Sequence, residues 1–118
     1  MLLLIVDDNA TMRRLLRRVA GDLAAGITEC ADGTEALAAY ERDHFGAGDW
    51  VLMDIEMARM DGLMALRQLR ASHPEARVII VSRHNDEELR AAAFRDGACG
   101  FVAKENLLAL RALISATD

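Results

Sequence analysis

Three aspartates, a serine and a lysine each follow an apolar run. "LLLIV" leads into Asp7 and Asp8, "WVLM" into Asp54, "VIIV" into Ser82 and "GFVA" into Lys104. Taken singly they are ordinary. An aspartate pair is common at the start of a helix, where it meets the positive end of the helix dipole. A serine after a strand is commonly a turn residue, and a lysine there a surface charge. Held together they have a narrower meaning. Three carboxylates within reach of one another repel, and their pKa values rise unless a cation offsets them. Mg²⁺ suits such a set, because it takes carboxylate oxygens together with waters and phosphate oxygens. Lysine and serine add donors for an oxyanion. A carboxylate can also be the nucleophile and form an aspartyl phosphate. The chain has no Walker-type glycine loop, so the site reads as one for a phosphoryl group rather than a nucleotide.

The elements implied by the rest of the chain would bring these residues together. Five short apolar runs, Leu2–Val6, Ile27–Cys30, Trp50–Asp54, Val78–Val81 and Gly100–Ala103, alternate with helical patterns. The first, third and fourth are almost continuously apolar, as strands buried on both faces are. The spacing predicts a first helix through Met12, Leu15, Leu16, Val19 and Leu23, with its arginines on the other face. A second covers Thr34–Arg42 and buries Leu37 and Tyr40. A third opens near Asp61–Gly62, buries Leu63, Leu66 and Leu69, and stops before Pro74. A fourth is capped at Asn85–Asp86, carries Leu89, Ala93 and Phe94, and ends at Gly97. The last runs from about Glu105 through Leu107, Leu110, Leu113 and Ile114.

A βα unit repeated five times implies an α/β fold, a parallel sheet with helices on both faces. We expect one domain over residues 1–118, flavodoxin-like, with strand order 2-1-3-4-5. In such a sheet all carboxyl ends share one edge. Ligands bind there where strand order reverses, between strands one and three.

Composition narrows the function classes. With 118 residues, 53% hydrophobic and 28% charged, the chain has the make-up of a globular domain with a real core. A net charge of −5 argues against a non-specific nucleic-acid surface. Arg13, Arg14, Arg17 and Arg18 read as a solvated helix face. Cys30 and Cys99 lack metal-ligand spacing and read as buried free thiols. The N-terminal apolar run is short, lacks a basic flank and stops at carboxylates, so it is read as neither signal peptide nor membrane span. A cytoplasmic location is the expectation. His44 and His73 read as loop histidines, and Met57 and Met60 as exposed beside the loop after Asp54.

The stretches "IVDDN", "LMDIEMARMDG", "VIIVSRH" and "GACGFVAKE", in that order across essentially the whole chain, resemble the receiver domains of two-component response regulators. The resemblance implies that Asp54 accepts a phosphoryl group from a histidine kinase or phosphotransfer protein. It implies that Asp7, Asp8, Asp54 and the backbone carbonyl of Glu56 hold Mg²⁺. Lys104 would pair with the phosphoryl group and Ser82 would hydrogen-bond it. Phe101 would be the aromatic whose rotamer reports activation. A downstream protein, or a second copy of the chain, would meet the face built from helix four, strand five and helix five. Direct nucleic-acid and membrane contacts are not expected. Nor is turnover, beyond catalysis of the domain's own phosphorylation and dephosphorylation.

The chain departs from the family pattern at several points. Ala58 and Glu105 stand where proline is usual, and Arg83 where a small residue is usual. Arg83 either covers the phosphate or pairs with Glu56, and with Glu56 it is expected to set the lifetime of the phosphorylated state. His84 is a solvent-facing candidate modulator. Lysine followed by a non-proline residue also fits receivers attached to helix-turn-helix output domains, so the alternatives include the N-terminal part of a DNA-binding regulator. A degenerate receiver that binds partners without phosphorylation is another. A phosphatase with an aspartate nucleophile would place a second aspartate where Glu56 stands. A flavin carrier would need a Ser/Thr-rich loop where "DDNATMRR" offers negative charge.

Overall fold

The computed structural model describes residues 1–57 and 60–116, so Ala58 lies outside the described residues. Its strands are β1 (Leu2–Val6), β2 (Gly26–Cys30), β3 (Trp50–Asp54), β4 (Val78–Ser82) and β5 (Gly100–Ala103). The helices are α1 (Ala10–Ala20), α2 (Gly33–Arg42), α3 (Gly62–Ser72), α4 (Glu87–Arg95) and α5 (Ala109–Ala116). The strands form one sheet in the order β2-β1-β3-β4-β5, and every neighbouring pair is parallel. The expected flavodoxin-like α/β architecture is therefore the one observed.

Side chains alternate across a strand, and here the alternation sorts them into two cores. Leu4, Val6, Val51, Met53, Val78, Ile80 and Phe101 pack with residues of α2, α3 and α4 on one face. Leu3, Ile5, Trp50, Leu52, Ile79, Val81 and Val102 pack with α1 and α5 on the other. β1, β3 and β4 are buried on both faces apart from half-buried Leu2, which explains their nearly unbroken apolar runs. β2 is an edge strand and is only partly covered.

The helix starts follow from short polar side chains. Asn9, Asp32, Asp61 and Asp86 each cap a helix by accepting a backbone N–H three residues on. Several expectations need correction. The segment after β5 first makes a 3-10 turn at Lys104–Asn106, and α5 begins only at Ala109. Ala103, at the start of that turn, has no side chain able to cap it. Phe94 is not core: it is 42% exposed. Leu15 is also largely exposed, and Leu16 and Ala20 carry the buried face of α1. Cys30 is buried as expected, but Cys99 is exposed. Met57 and Met60 are half-buried against the α2–α3–α4 core rather than free. His73 is the C-cap of α3, paired with Glu41 and tilted against the Tyr40 ring.

Candidate functional site

The same alternation that builds the core on the α1–α5 side also aims the functional residues. Asp7 continues the parity of Leu3 and Ile5, Asp54 that of Trp50 and Leu52, and Lys104 that of Val102. All three therefore leave the sheet on one side at its carboxyl edge. β1 and β3 are neighbours, so Asp7 and Asp54 meet at the point where strand order reverses.

Asp7 is fully buried, Asp54 is 6% exposed, and Asp8 points to solvent. Each of the three can present a carboxylate oxygen within 4.8 Å of the others, a spacing that fits a divalent cation. Lys104 Nζ lies 3.1 Å from Asp7 Oδ2 and 3.2 Å from Asp54 Oδ1. Asp7 is held further by the Asn9 N–H, which donates to Oδ1. Burial and the neighbouring Asp7 charge push the Asp54 carboxyl up to about 6, although the Lys104 ammonium draws it down. The single lysine therefore offsets only part of the cost of burying the Asp54 carboxylate beside Asp7. The residues present fit Mg²⁺: Asp8 is free toward solvent, and the lysine is shared between the other two.

An open cleft of roughly 990 Å³ runs from these carboxylates past Glu56, Met57 and Arg83 to the Met12–Leu15 side of α1. Arg83 Nη2 lies 3.1 Å from Glu56 Oε2, and His84 Nε2 also pairs with the Glu56 carboxylate. Arg83, with His84 contributing, holds the Glu56 carboxyl below its ordinary value. Of the two positions open to Arg83, pairing with Glu56 is the one adopted.

Ser82 and Phe101 are not brought into the cleft. Ser82 continues the parity of Val78 and Ile80, on the α4 side of the sheet, and its Oγ accepts the His84 N–H at 3.0 Å. Phe101 is 7% exposed within that same core, with the Arg90 guanidinium 5.8 Å from its ring. Gly62 is a positioning residue that composition alone does not reveal. Its N–H donates to the Ile55 carbonyl at 2.8 Å, and a Cβ there would stand 2.0 Å from the Asp54 carbonyl oxygen. Only a residue without a side chain lets α3 start so close to the end of β3.

Arg13 was hidden in the arginine run. Its Nη1 donates to the Asp7 carbonyl at 2.6 Å, and its Nε to Glu29 on β2 at 3.1 Å. No local sequence signal marks that partnership, which joins α1 to an edge strand.

Comparison with known proteins agrees with the geometry. A model of the response regulator receiver domain matches residues 3–116. Chemotaxis protein CheY of Listeria monocytogenes is 36% identical over 103 residues, covering 86% of this chain and 84% of that protein. The DNA-binding transcriptional regulator NtrC of Salmonella typhimurium is 34% identical over 100 residues, or 85% of this chain. This chain spans only 21% of that longer regulator. Among solved structures, the CheX-CheY-BeF3-Mg+2 complex from Borrelia burgdorferi matches with a TM-score of 0.86 and 25% identity, covering 99% of this chain and 88% of that one. The match over nearly the whole chain, with an acidic cluster and a lysine at the carboxyl edge of a 2-1-3-4-5 sheet, shows that the chain belongs to the response regulator receiver domain family.

Proposed function

We propose that residues 1–118 form one receiver domain that works as a phosphorylation-dependent switch, with Asp54 as the phosphoacceptor. The observation that carries this reading is the convergence of Asp7, Asp8 and Asp54 on the Lys104 ammonium at one sheet edge. The phosphoryl group would come from a phosphohistidine on a histidine kinase or phosphotransfer protein. An Asp54 carboxylate oxygen attacks phosphorus, an O–P bond forms and the P–N bond breaks. The imidazole leaves with the bonding pair and takes a proton from solvent. With its carboxyl at about 6, Asp54 is mostly ionised near neutral pH, as a nucleophile must be.

Asp7, Asp8, Asp54 and the Glu56 backbone carbonyl are the groups we assign to Mg²⁺. Bound there, the ion would neutralise charge on the transferring phosphoryl oxygens. Lys104 then exchanges its contact with Asp54 for one with the phosphoryl group. That group brings roughly −1.5 to −2 charge and new acceptor oxygens. Ser82 must turn from the His84 N–H to reach it, and Phe101 lies on the same side of the sheet. In this reading both would report the change to α4 and β5, through a bias between two packings of the domain.

A downstream protein or a second copy would meet the α4–β5–α5 side; Phe94 of α4 and Leu108, just before α5, are exposed at 42% and 74%. A cytoplasmic setting belongs to the same proposal. Among the described residues no helix is long and apolar enough to cross a membrane.

The test is intact mass after incubation with Mg²⁺ and acetyl phosphate, beside an Asp54→Ala control. A single phosphoryl adduct, lost in the control and in EDTA, is the expected result. No adduct under any condition would instead favour a receiver that binds partners without phosphorylation.

A further inference from the structure

We infer that Arg13 is a positioning residue for the cation site: it fixes the Asp7–Asp8 peptide plane and so the direction from which Asp8 meets Mg²⁺. The inference rests on the assignment of Asp7, Asp8 and Asp54 to that ion.

The Asp7 corner is anchored to β2 twice. Its N–H donates to the Cys30 carbonyl at 3.1 Å, which prolongs the β1–β2 pairing by one residue. Its carbonyl then receives the Arg13 Nη1 at 2.6 Å. The Arg13 guanidinium is itself held, because its Nε donates to Glu29 Oε1 at 3.1 Å and its side chain is only 20% exposed. Glu29 precedes Cys30 on the same strand, so one strand end supplies both anchors.

A peptide unit is planar, so a fixed carbonyl fixes the orientation of the next Cα as well. The next Cα is that of Asp8. Its neighbours Asp7 and Asp54 are like charges, and without restraint this corner would relieve repulsion by swinging Asp8 further into solvent. Arg13 opposes that swing. Its own charge is partly offset by Glu29, a carboxylate it shares with Arg17 and one drawn below its ordinary value by Arg17 first and Arg13 next. The repulsion that the orienting bond adds against an incoming cation is reduced accordingly.

Arg17 provides the control. It makes two bonds to Glu29, at 3.0 and 2.7 Å, whereas the Asp7 carbonyl is bonded by Arg13. Removing either arginine costs ion pairing with Glu29, and only one removal frees the Asp7 carbonyl. Outer partners of metal ligands commonly change metal affinity on the order of tenfold when removed.

The experiment is a Mg²⁺ titration of the whole chain, followed by backbone amide NMR shifts, for wild type, Arg13→Met, Arg17→Met and Arg13→Lys. Thermal midpoints are recorded alongside. The expected result is affinity on the order of tenfold weaker in Arg13→Met and unchanged in Arg17→Met. Arg13→Lys, which keeps the charge but on a single donor nitrogen, falls between, and it decides the matter if Arg13→Met does not fold. Wild-type affinity in Arg13→Met, or equal weakening in Arg17→Met, overturns the inference while leaving the cation site intact. A wild-type chain that does not respond to Mg²⁺ overturns the site assignment and this inference together.

Discussion

The Lys104 ammonium stands 3.2 Å from Asp54 Oδ1, and with an 11% exposed side chain it is the buried positive charge that reaches both Asp54 and Asp7. Removing one partner from a buried charged set costs more than losing an exposed pair, because the remaining charges stay buried without compensation. Lys104→Met should therefore lower stability of the metal-free chain by roughly 3 kcal/mol near neutral pH. Mg²⁺ should recover much of that loss. Urea unfolding with and without Mg²⁺ would measure both numbers, and a variant as stable as wild type in EDTA would contradict the charge argument.

The same carboxylates give stability a pH dependence with a definite sign. Burial and the Asp7 charge raise the Asp54 carboxyl from 3.8 to about 6 in the folded chain. The folded state thus holds this proton more tightly than the unfolded state. Its stabilising contribution is present below the unfolded value and is lost as pH rises through about 6. Ionisation of Asp54 in the metal-free chain then costs roughly 3 kcal/mol between about pH 4 and 7. Asp54→Asn should remove that slope, so the difference between the two stability profiles isolates it from other carboxylates. Parallel profiles in EDTA would show that Asp54 does not titrate as described.

What the sequence showed and hid has a physical pattern. β1, β3 and β4 were legible because strands buried on both faces exclude polar residues. Asp7, Asp8, Asp54 and Lys104 were legible because each stands at the carboxyl end of an apolar run, that of Lys104 being β5. α4 was only partly legible: Leu89 and Ala93 do face the core, but Phe94, beside them in the same apolar stretch, turns out to solvent. α5 hid its start because Leu107 is anchored from a 3-10 turn, not from the helix it was assigned to. Arg13 was invisible for another reason: its partners Glu29 and Asp7 are chosen by how α1 crosses the β2 edge, which no local spacing encodes.

Gly62 carries a steric prediction. A Cβ at that position would stand 2.0 Å from the Asp54 carbonyl oxygen and 2.8 Å from the Ile55 Cα, both backbone atoms that cannot simply rotate away. Gly62→Ala should cost about 1–3 kcal/mol through forced backbone shifts. It should also slow adduct formation by acetyl phosphate, because the displaced backbone belongs to Asp54. Full stability with normal phosphorylation would mean that α3 can move out freely.

The two cysteines should separate cleanly in a labelling experiment. Cys99 is exposed, whereas Cys30 is buried and its thiol is pushed up to about 11, by desolvation first and by nearby Glu35 next. The thiolate is the reactive form, so Cys30 is protected by both access and protonation. Native chain treated with iodoacetamide should gain one adduct quickly, at Cys99, and a second only after urea is added. Rapid double labelling would show that the β2 edge opens more readily than its packing indicates.

The Arg83–Glu56 pair should tune the phosphorylated state without affecting the fold. Both side chains are well exposed, at 68% and 48%, so their 3.1 Å contact adds little to stability. Their charges nonetheless line the cleft that leads to Asp54. An aspartyl phosphate there is strongly anionic, and a guanidinium at the rim attracts it and narrows the path of attacking water. Arg83→Ala should therefore shorten the phosphoryl lifetime several-fold. Glu56→Asn releases Arg83 from its partner, lets it turn toward the phosphate, and should lengthen the lifetime. Opposite signs at unchanged thermal midpoints are the diagnostic outcome, read from the decay of the phosphorylated mass after the phosphodonor is removed. Decay rates equal to wild type in both variants would reduce the pair to an exposed contact with no hold on the chemistry.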